Sequence, residues 1–210
     1  NDQTNTLNVN GLSEFDVAPD VAKIRFRVET QSLTAQDAAD RNRGIANSVA
    51  QALAGAGVRK DELETADYRV EKVQEWDPEH NKMVDKGYRA SNSFVVTSHN
   101  LEAVGKLLDV GVQAGANNVE SVSFELSKER EKDVKTEALR NAARNAYEKA
   151  EALADGTGVR IVKVKSISEN NFYIQPFARY DLAMSKAEGA MVSPTPISPG
   201  AVKVNAQVSV

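Results

Sequence analysis

The stretch Ala22-Lys23-Ile24-Arg25-Phe26-Arg27-Val28-Glu29 alternates apolar and charged residues without a break. Val202, Val204, Ala206, Val208 and Val210 repeat that period at the far end of the chain. A two-residue period puts one set of side chains on each side of a pleated strand, so both runs read as strands with one buried and one solvated face. Parallel strands are usually covered on both faces, so clean alternation points to an antiparallel sheet. Leu7 and Val9 add a short strand before them.

Between these ends the period switches to that of helices three times. Thr34 with Asp37 reads as a helix start, followed by an inward stripe of Ala38, Asn42, Ile45, Val49 and Leu53 and an end at Gly55 and Gly57. Asn100 opens a second helix through Leu101, Val104, Leu107, Leu108 and Val112 to Gly115. Ser127 caps a third and longer one, with Val134, Ala138, Ala142, Ala146, Ala150 and Leu153 facing inward. An alanine stripe has little bulk, so this helix is expected to lie unusually close to its sheet. Each helix ends in glycine and re-enters a strand through valine: Gly57-Val58, Gly115 to Val119, and Gly158-Val159.

The remaining strands follow the same logic. Leu63 to Trp76, the turn Asp77 to Asn81, and Tyr88 to Ser98 make an extended hairpin, about 63–98, too long for one domain to cover. Val119, Val122, Phe124 and Leu126 form another strand, as do Ile161, Val162, Val164 and Ile167. From about 174 to 200 the prolines Pro176, Pro194, Pro196 and Pro199 interrupt the pattern, and that segment is expected to be an irregular loop. The fold class is therefore α+β: one largely antiparallel sheet, three helices mainly on one face, a projecting hairpin and a C-terminal strand. At 210 residues the chain reads as a single domain, 1–210. The expected core includes Ile24, Phe26, Val28, Ile45, Val49, Leu107, Leu108 and Phe124.

Composition removes most chemistries. With no cysteine, disulfides, thiolate metal sites and cysteine nucleophiles are excluded. Lys and Arg number 26 against 30 Asp and Glu, a net charge of −4, which gives no footprint for nucleic acid. No apolar run approaches the roughly 20 residues that span a bilayer. The chain opens on Asn1 rather than methionine, as expected of a processed or trimmed chain, for instance after removal of a signal peptide from a precursor.

Two histidines offer little for acid–base work, and their spacing excludes a zincin pair. His80, beside Asp77 and Glu79, reads as an exposed hairpin tip before it reads as a metal or pH-sensing cluster. Asp155-Gly156-Thr157-Gly158 resembles a phosphate loop only superficially. It follows a helix and precedes a strand, so the helix dipole presents the wrong sign to an anion. Lys128 to Asp133 mixes charges as a solvated helix start does, and Arg140 and Arg144 have Glu137 and Glu148 within pairing distance. No catalytic, cofactor-binding or metal-binding residue is assigned, and no cofactor is expected. Trp76, Tyr88, Phe177, Tyr180, Met184 and Met191 are candidates for an oligomer interface, since aromatics and methionine are enriched there. Strand-end packing accounts for them equally well.

Several stretches together resemble the SIMPL-domain family. They are Val17 to Ile24, Thr34-Ala35 with Asn42, Gly57-Val58 with Asp61 to Thr65, and Gly87 to Asn92. Further on come Leu107-Leu108-Asp109 through Gly115-Ala116-Asn117 to Phe124, the helix Ala138 to Ala154, and Thr195 to Gly200. The match runs from about Leu7 to Val210 in the family's order. The resemblance implies an exported periplasmic, cell-surface or secreted protein, including immunogenic and outer-membrane-associated members, without established enzymatic activity. It also implies large hollow or ring-like homo-oligomers, peripheral association with the envelope, and a role in stress tolerance. The expectation is thus a non-catalytic envelope protein that assembles with itself beyond a dimer. The competing reading is a binding module that captures a small ligand or partner protein in the oligomer or at the 174–200 loop.

Overall fold

A computed structural model describes residues 6–180 and 195–210. It contains the α+β architecture expected, with its strands divided between two sheets rather than gathered into one. The chain forms two compact units, neither continuous in sequence. The terminal unit takes the chain up to Asp20, then Glu125–Phe177 and Pro199–Val210. The central unit takes Val21–Phe124 and, of Ala178–Ser198, the described residues.

In the terminal unit, β8 (Val202–Ser209) lies between β1 (Asn10–Val17) and β6 (Ser168–Gln175), antiparallel to both. The inward set Val202, Val204, Ala206 and Val208 is buried against Val134, Ala138, Ala142 and Ala146 of α3 (Lys128–Thr157). The alanine stripe brings helix and sheet together as expected. The consequence falls on β1, where a Cβ at Gly11 would overlap the Ala142 carbonyl oxygen and sit 2.8 Å from the Ala146 Cβ. At 30 residues α3 is about 45 Å long, whereas an eight-residue strand reaches about 27 Å. In its last turns Ala154 takes the buried place, while Ala150 is half-buried and Leu153, expected inward, is 49% exposed.

The central unit holds a five-stranded sheet in the order β3-β4-β2-β5-β7. These are β3 (Leu63–Asp77), β4 (Lys82–Ser98), β2 (Val21–Ser32), β5 (Asn118–Glu125) and β7 (Phe177–Tyr180). Helices α1 (Ala35–Gly55) and α2 (Val104–Gln113) belong to it, the second preceded by a 3-10 turn at Leu101–Ala103. Phe26 and Phe94 face each other across β2 and β4 with ring centroids 5.8 Å apart, the cross-strand contact that alternation prepares. Of the expected core only Ile45 is incompletely covered; Ile24, Phe26, Val28, Val49, Leu107, Leu108 and Phe124 are buried. Thr34 and Ser127 cap their helices by accepting from the Asp37 and Arg130 amides, each at 3.2 Å. Gly57, Gly115 and Gly158 all take positive φ at the helix ends, where other residues are strained.

Three expectations are corrected. The single shared sheet is replaced by two, because periodicity shows which face a strand buries and not which strands lie beside it. Residues Ile161 to Ile167 form no strand; the ladder to β8 begins at Ser168. The 174–200 segment is not irregular throughout, since β6 runs to Gln175 and β7 follows Pro176 at once. Proline there removes a ladder donor only at the junction between two strands, where none is required.

Candidate functional site

The polar residues within the most distinctive stretches of the sequence hold backbone. Asp20 accepts from the Ser127 amide at 2.7 Å and from its hydroxyl at 2.6 Å, anchoring the start of α3. Asn42, wholly buried in the apolar stripe of α1, donates to the Val28 carbonyl at 2.8 Å and the Ala90 carbonyl at 2.9 Å. It thereby ties the helix to β2 and β4 together. Asn117 accepts from the Glu29 amide at 2.9 Å and donates to its carbonyl at 2.7 Å, copying a ladder pair with its side chain. Asp109 of α2 accepts from the Thr195 hydroxyl at 2.6 Å and amide at 3.1 Å. The Thr195 carbonyl lies where a Cβ on Gly105 would be, so two separated stretches of the sequence meet there. Asn42 and Asn117 meet adjacent residues of β2, Val28 and Glu29, and each of the four groups is engaged with its own partner.

Among the described residues, no group of three or more His, Asp or Glu could hold a metal ion, and no helix is long and apolar enough to cross a membrane. A shallow depression of about 460 Å³ beside α1 is lined by Thr30, Gln31, Arg41, Ile45, Ser48 and Ala114, without a convergent set of reactive groups. Gly158 closes α3 in the left-handed conformation, so the Asp155–Gly158 turn sits at the carbonyl end of the helix.

The hairpin is the exposed feature. β2 pairs with β4 only as far as Ser32 opposite Tyr88. Past that point β3 and β4 continue as a two-stranded ribbon to Asp77 opposite Lys82. Opposite charges lace it: Lys72 to Asp85 at 2.8 Å, Lys86 to Glu75 at 3.5 Å, and Gln74 donating to Asp85 at 2.7 Å. Lys72 and Gln74 hold the Asp85 carboxyl below its ordinary range, and Asp85 in turn raises Lys72. Next to the turn, Trp76 stands directly opposite Met83, and the two are 52% and 53% exposed.

Asp77 organises the turn. Its carboxylate accepts from the Glu79 amide at 2.9 Å, the His80 amide at 3.3 Å, and lies 2.7 Å from His80 Nδ1. The His80 side chain does most to lower the Asp77 pKa; burial opposes it, and the His80 and Glu79 amides add to the lowering. A depressed carboxylate stabilises the fold fully above its unfolded pKa of about 3.9, and that contribution is lost as pH falls through the lower folded value. Acidification below about pH 4 is therefore expected to open the turn. Amide exchange at Glu79 and His80 should speed up there, and Asp77→Asn should reproduce the effect at neutral pH. Unchanged exchange in both cases would show that the carboxylate does not hold the turn.

Of the six interface candidates, Trp76 and Tyr88 both lie on the hairpin, at separate positions along it. Tyr88 is half-buried opposite Lys72, well down the strand from Trp76. Phe177 packs within its own unit, where a Cβ on Gly200 would overlap its ring. Tyr180 ends β7, and Met184 and Met191 lie outside the described residues. Met83 is the residue that sequence reading missed. Its signal was available: a short turn after Trp76 brings the strand back, and antiparallel pairing then places Met83 across from it.

A family model described as SIMPL, a protein of unknown function (DUF541), matches residues 7–210. The chain belongs to the SIMPL family. This SIMPL chain is 30% identical over 164 residues to the 26 kDa periplasmic immunogenic protein of Brucella melitensis. That match covers 77% of this chain and 65% of the relative, so the SIMPL chain spans just under two thirds of that protein's length. The Brucella abortus (strain S19) protein of the same description matches equally, at 30% over 164 residues. The uncharacterized protein YggE of Escherichia coli (strain K12) is 29% identical over 188 residues, covering 87% of this chain and 72% of YggE.

Proposed function

We propose that this SIMPL chain is a non-catalytic envelope protein that works through homo-oligomeric assembly, with the end of the β3–β4 hairpin as a contact, and that it serves stress tolerance. The observation that carries the reading is the ribbon beyond Ser32, with Trp76 and Met83 exposed on it. A two-stranded ribbon has marginal stability by itself in water, and covering an aromatic and a methionine is a common way to gain it. The envelope location is supported by the periplasmic description of the Brucella relatives. A non-catalytic role is supported by the commitment of Asp20, Asn42, Asp109 and Asn117 to backbone groups.

The test is the mass of the purified protein by light scattering, before and after deletion of Asp77 to Lys86. The wild type should exceed a dimer, and the deletion should leave a folded but smaller species. Trp76 is the sole tryptophan, so its emission should shift to longer wavelength as the assembly is diluted. A wild type that stays monomeric at high micromolar concentration sinks the reading. So does a deletion that leaves the number of chains per particle unchanged.

A further inference from the structure

The segment Val159 to Ile167 has the composition of a strand and the surroundings of none. It reads Val-Arg-Ile-Val-Lys-Val-Lys-Ser-Ile, rich in β-branched residues, and it follows the Gly158 cap. It lies between α3 and β6 outside every ladder among the described residues. Val162 is 85% exposed and Ile167 62%, with Val159 and Val164 also more than half exposed. An apolar run this open, with unpaired backbone beside it, is the kind of surface that soluble proteins cover.

Charge selects the cover. Arg160, Lys163 and Lys165 give the segment +3 with no acidic residue, and they have no ion-pair partner among the described residues. Pairing with the same segment of another copy would set these cations against their own kind, which costs rather than gains. The outer strand β3 is the opposite case. It is 15 residues long and lies at the end of its sheet, and from Glu64 to Glu71 it carries three acidic residues against Arg69, which pairs with Asp67, while Arg89 lies 3.9 Å from Glu71. Tyr68 and Val70 are exposed along it.

We propose that Val159 to Ile167 pairs as an added strand with the free edge of β3 in a second copy of this chain. Lys163 and Lys165, which alternate onto one face of the segment, then meet the face of β3 that carries Glu64, Asp67 and Glu71. The donor and acceptor surfaces differ, so the contact is head-to-tail, and repetition of it closes a ring when the rotation allows. The proposal rests on the homo-oligomeric reading above and names the surfaces that carry it.

Charge reversal tests it on the whole chain. One variant carries Arg160→Glu, Lys163→Glu and Lys165→Glu; a second carries Glu64→Lys, Asp67→Lys and Glu71→Lys. Each alone should fall to a smaller mass by light scattering, with circular dichroism unchanged. Mixed in equal amounts, the two should regain the wild-type mass, because each donor again meets an acceptor of opposite charge. In the assembled wild type, the amides of Ile161 to Ile167 should exchange about tenfold more slowly than in a dilute monomeric fraction. That measurement needs no variant, so the proposal stands or falls even if one fails to fold. A first variant that keeps the wild-type mass overturns it, as does a mixture of two folded variants that fails to recover. Strong amide protection in the monomer also overturns it, because the segment would then be paired within its own chain. If the wild type is itself monomeric, the homo-oligomeric reading fails first; if it assembles and the variants do not respond, only this pairing fails.

Discussion

Gly11→Ala is expected to lower the stability of the protein by about 3 kcal/mol, an effect of the overpacking kind. The added methyl has no room: it would overlap the Ala142 carbonyl oxygen and press on Ala146, both on the buried face of α3. A flexible side chain could turn away, but helix backbone cannot, so α3 must lift from β1 and give up contacts along the whole alanine stripe. Gly44→Ala is the control of opposite sign. Gly44 lies within α1 with nothing within 4 Å of a built Cβ, so alanine should stabilise by about 0.5–1 kcal/mol through helix propensity alone. Urea unfolding of both variants checks the pair. Equal effects at the two sites would mean that helix and sheet are not in close contact at Gly11.

Asn42→Ala should cost about 2 kcal/mol, more than an exposed position on the same helix would. The loss has two parts: a cavity in a wholly buried position, and two amide hydrogen bonds to Val28 and Ala90. Asn42→Leu restores the volume but not the donors, so it should recover little. If leucine proves as stable as asparagine, the position is merely a place in the apolar stripe, and the amide does not hold α1 to the sheet. Hydrogen exchange of β2 and β4 near Val28 and Ala90 locates the effect independently.

Asn42 also shows how much of this fold was legible beforehand. The helical period placed it inward without difficulty, among Ala38, Val49 and Leu53. What a polar residue did there was not legible, because its partners come from two strands 14 and 48 residues away. Asp20, Asp109 and Asn117 repeat the pattern with partners 107, 86 and 88 residues distant. A sequence displays a polar residue in an unexpected place, but only the fold says which amide or carbonyl it meets.

The hairpin divides in the same way. The turn from Asp77 to Asn81 and the two long strands were readable from local chemistry, and so was the exposure of His80. The join of Trp76 with Met83 required the register, and the separation of Tyr88 from both came from where β2 stops.

Helix ends and buried faces were determined by the sequence itself, because caps, glycine and periodicity act over a few residues. The α+β class followed from them, as did the close approach of α3, since alanine carries its small volume wherever it is placed. Only the tertiary structure decided that α3 and β8 belong to one sheet and α1, α2 and β2 to another. It also decided that, among the described residues, Ile161 to Ile167 remains outside the ladders while Ser168 enters one. The physical reason is that sheet pairing is made by backbone groups, which are the same at nearly every residue. Side-chain alternation records which side of a strand meets the core, and carries almost no record of which strand lies alongside.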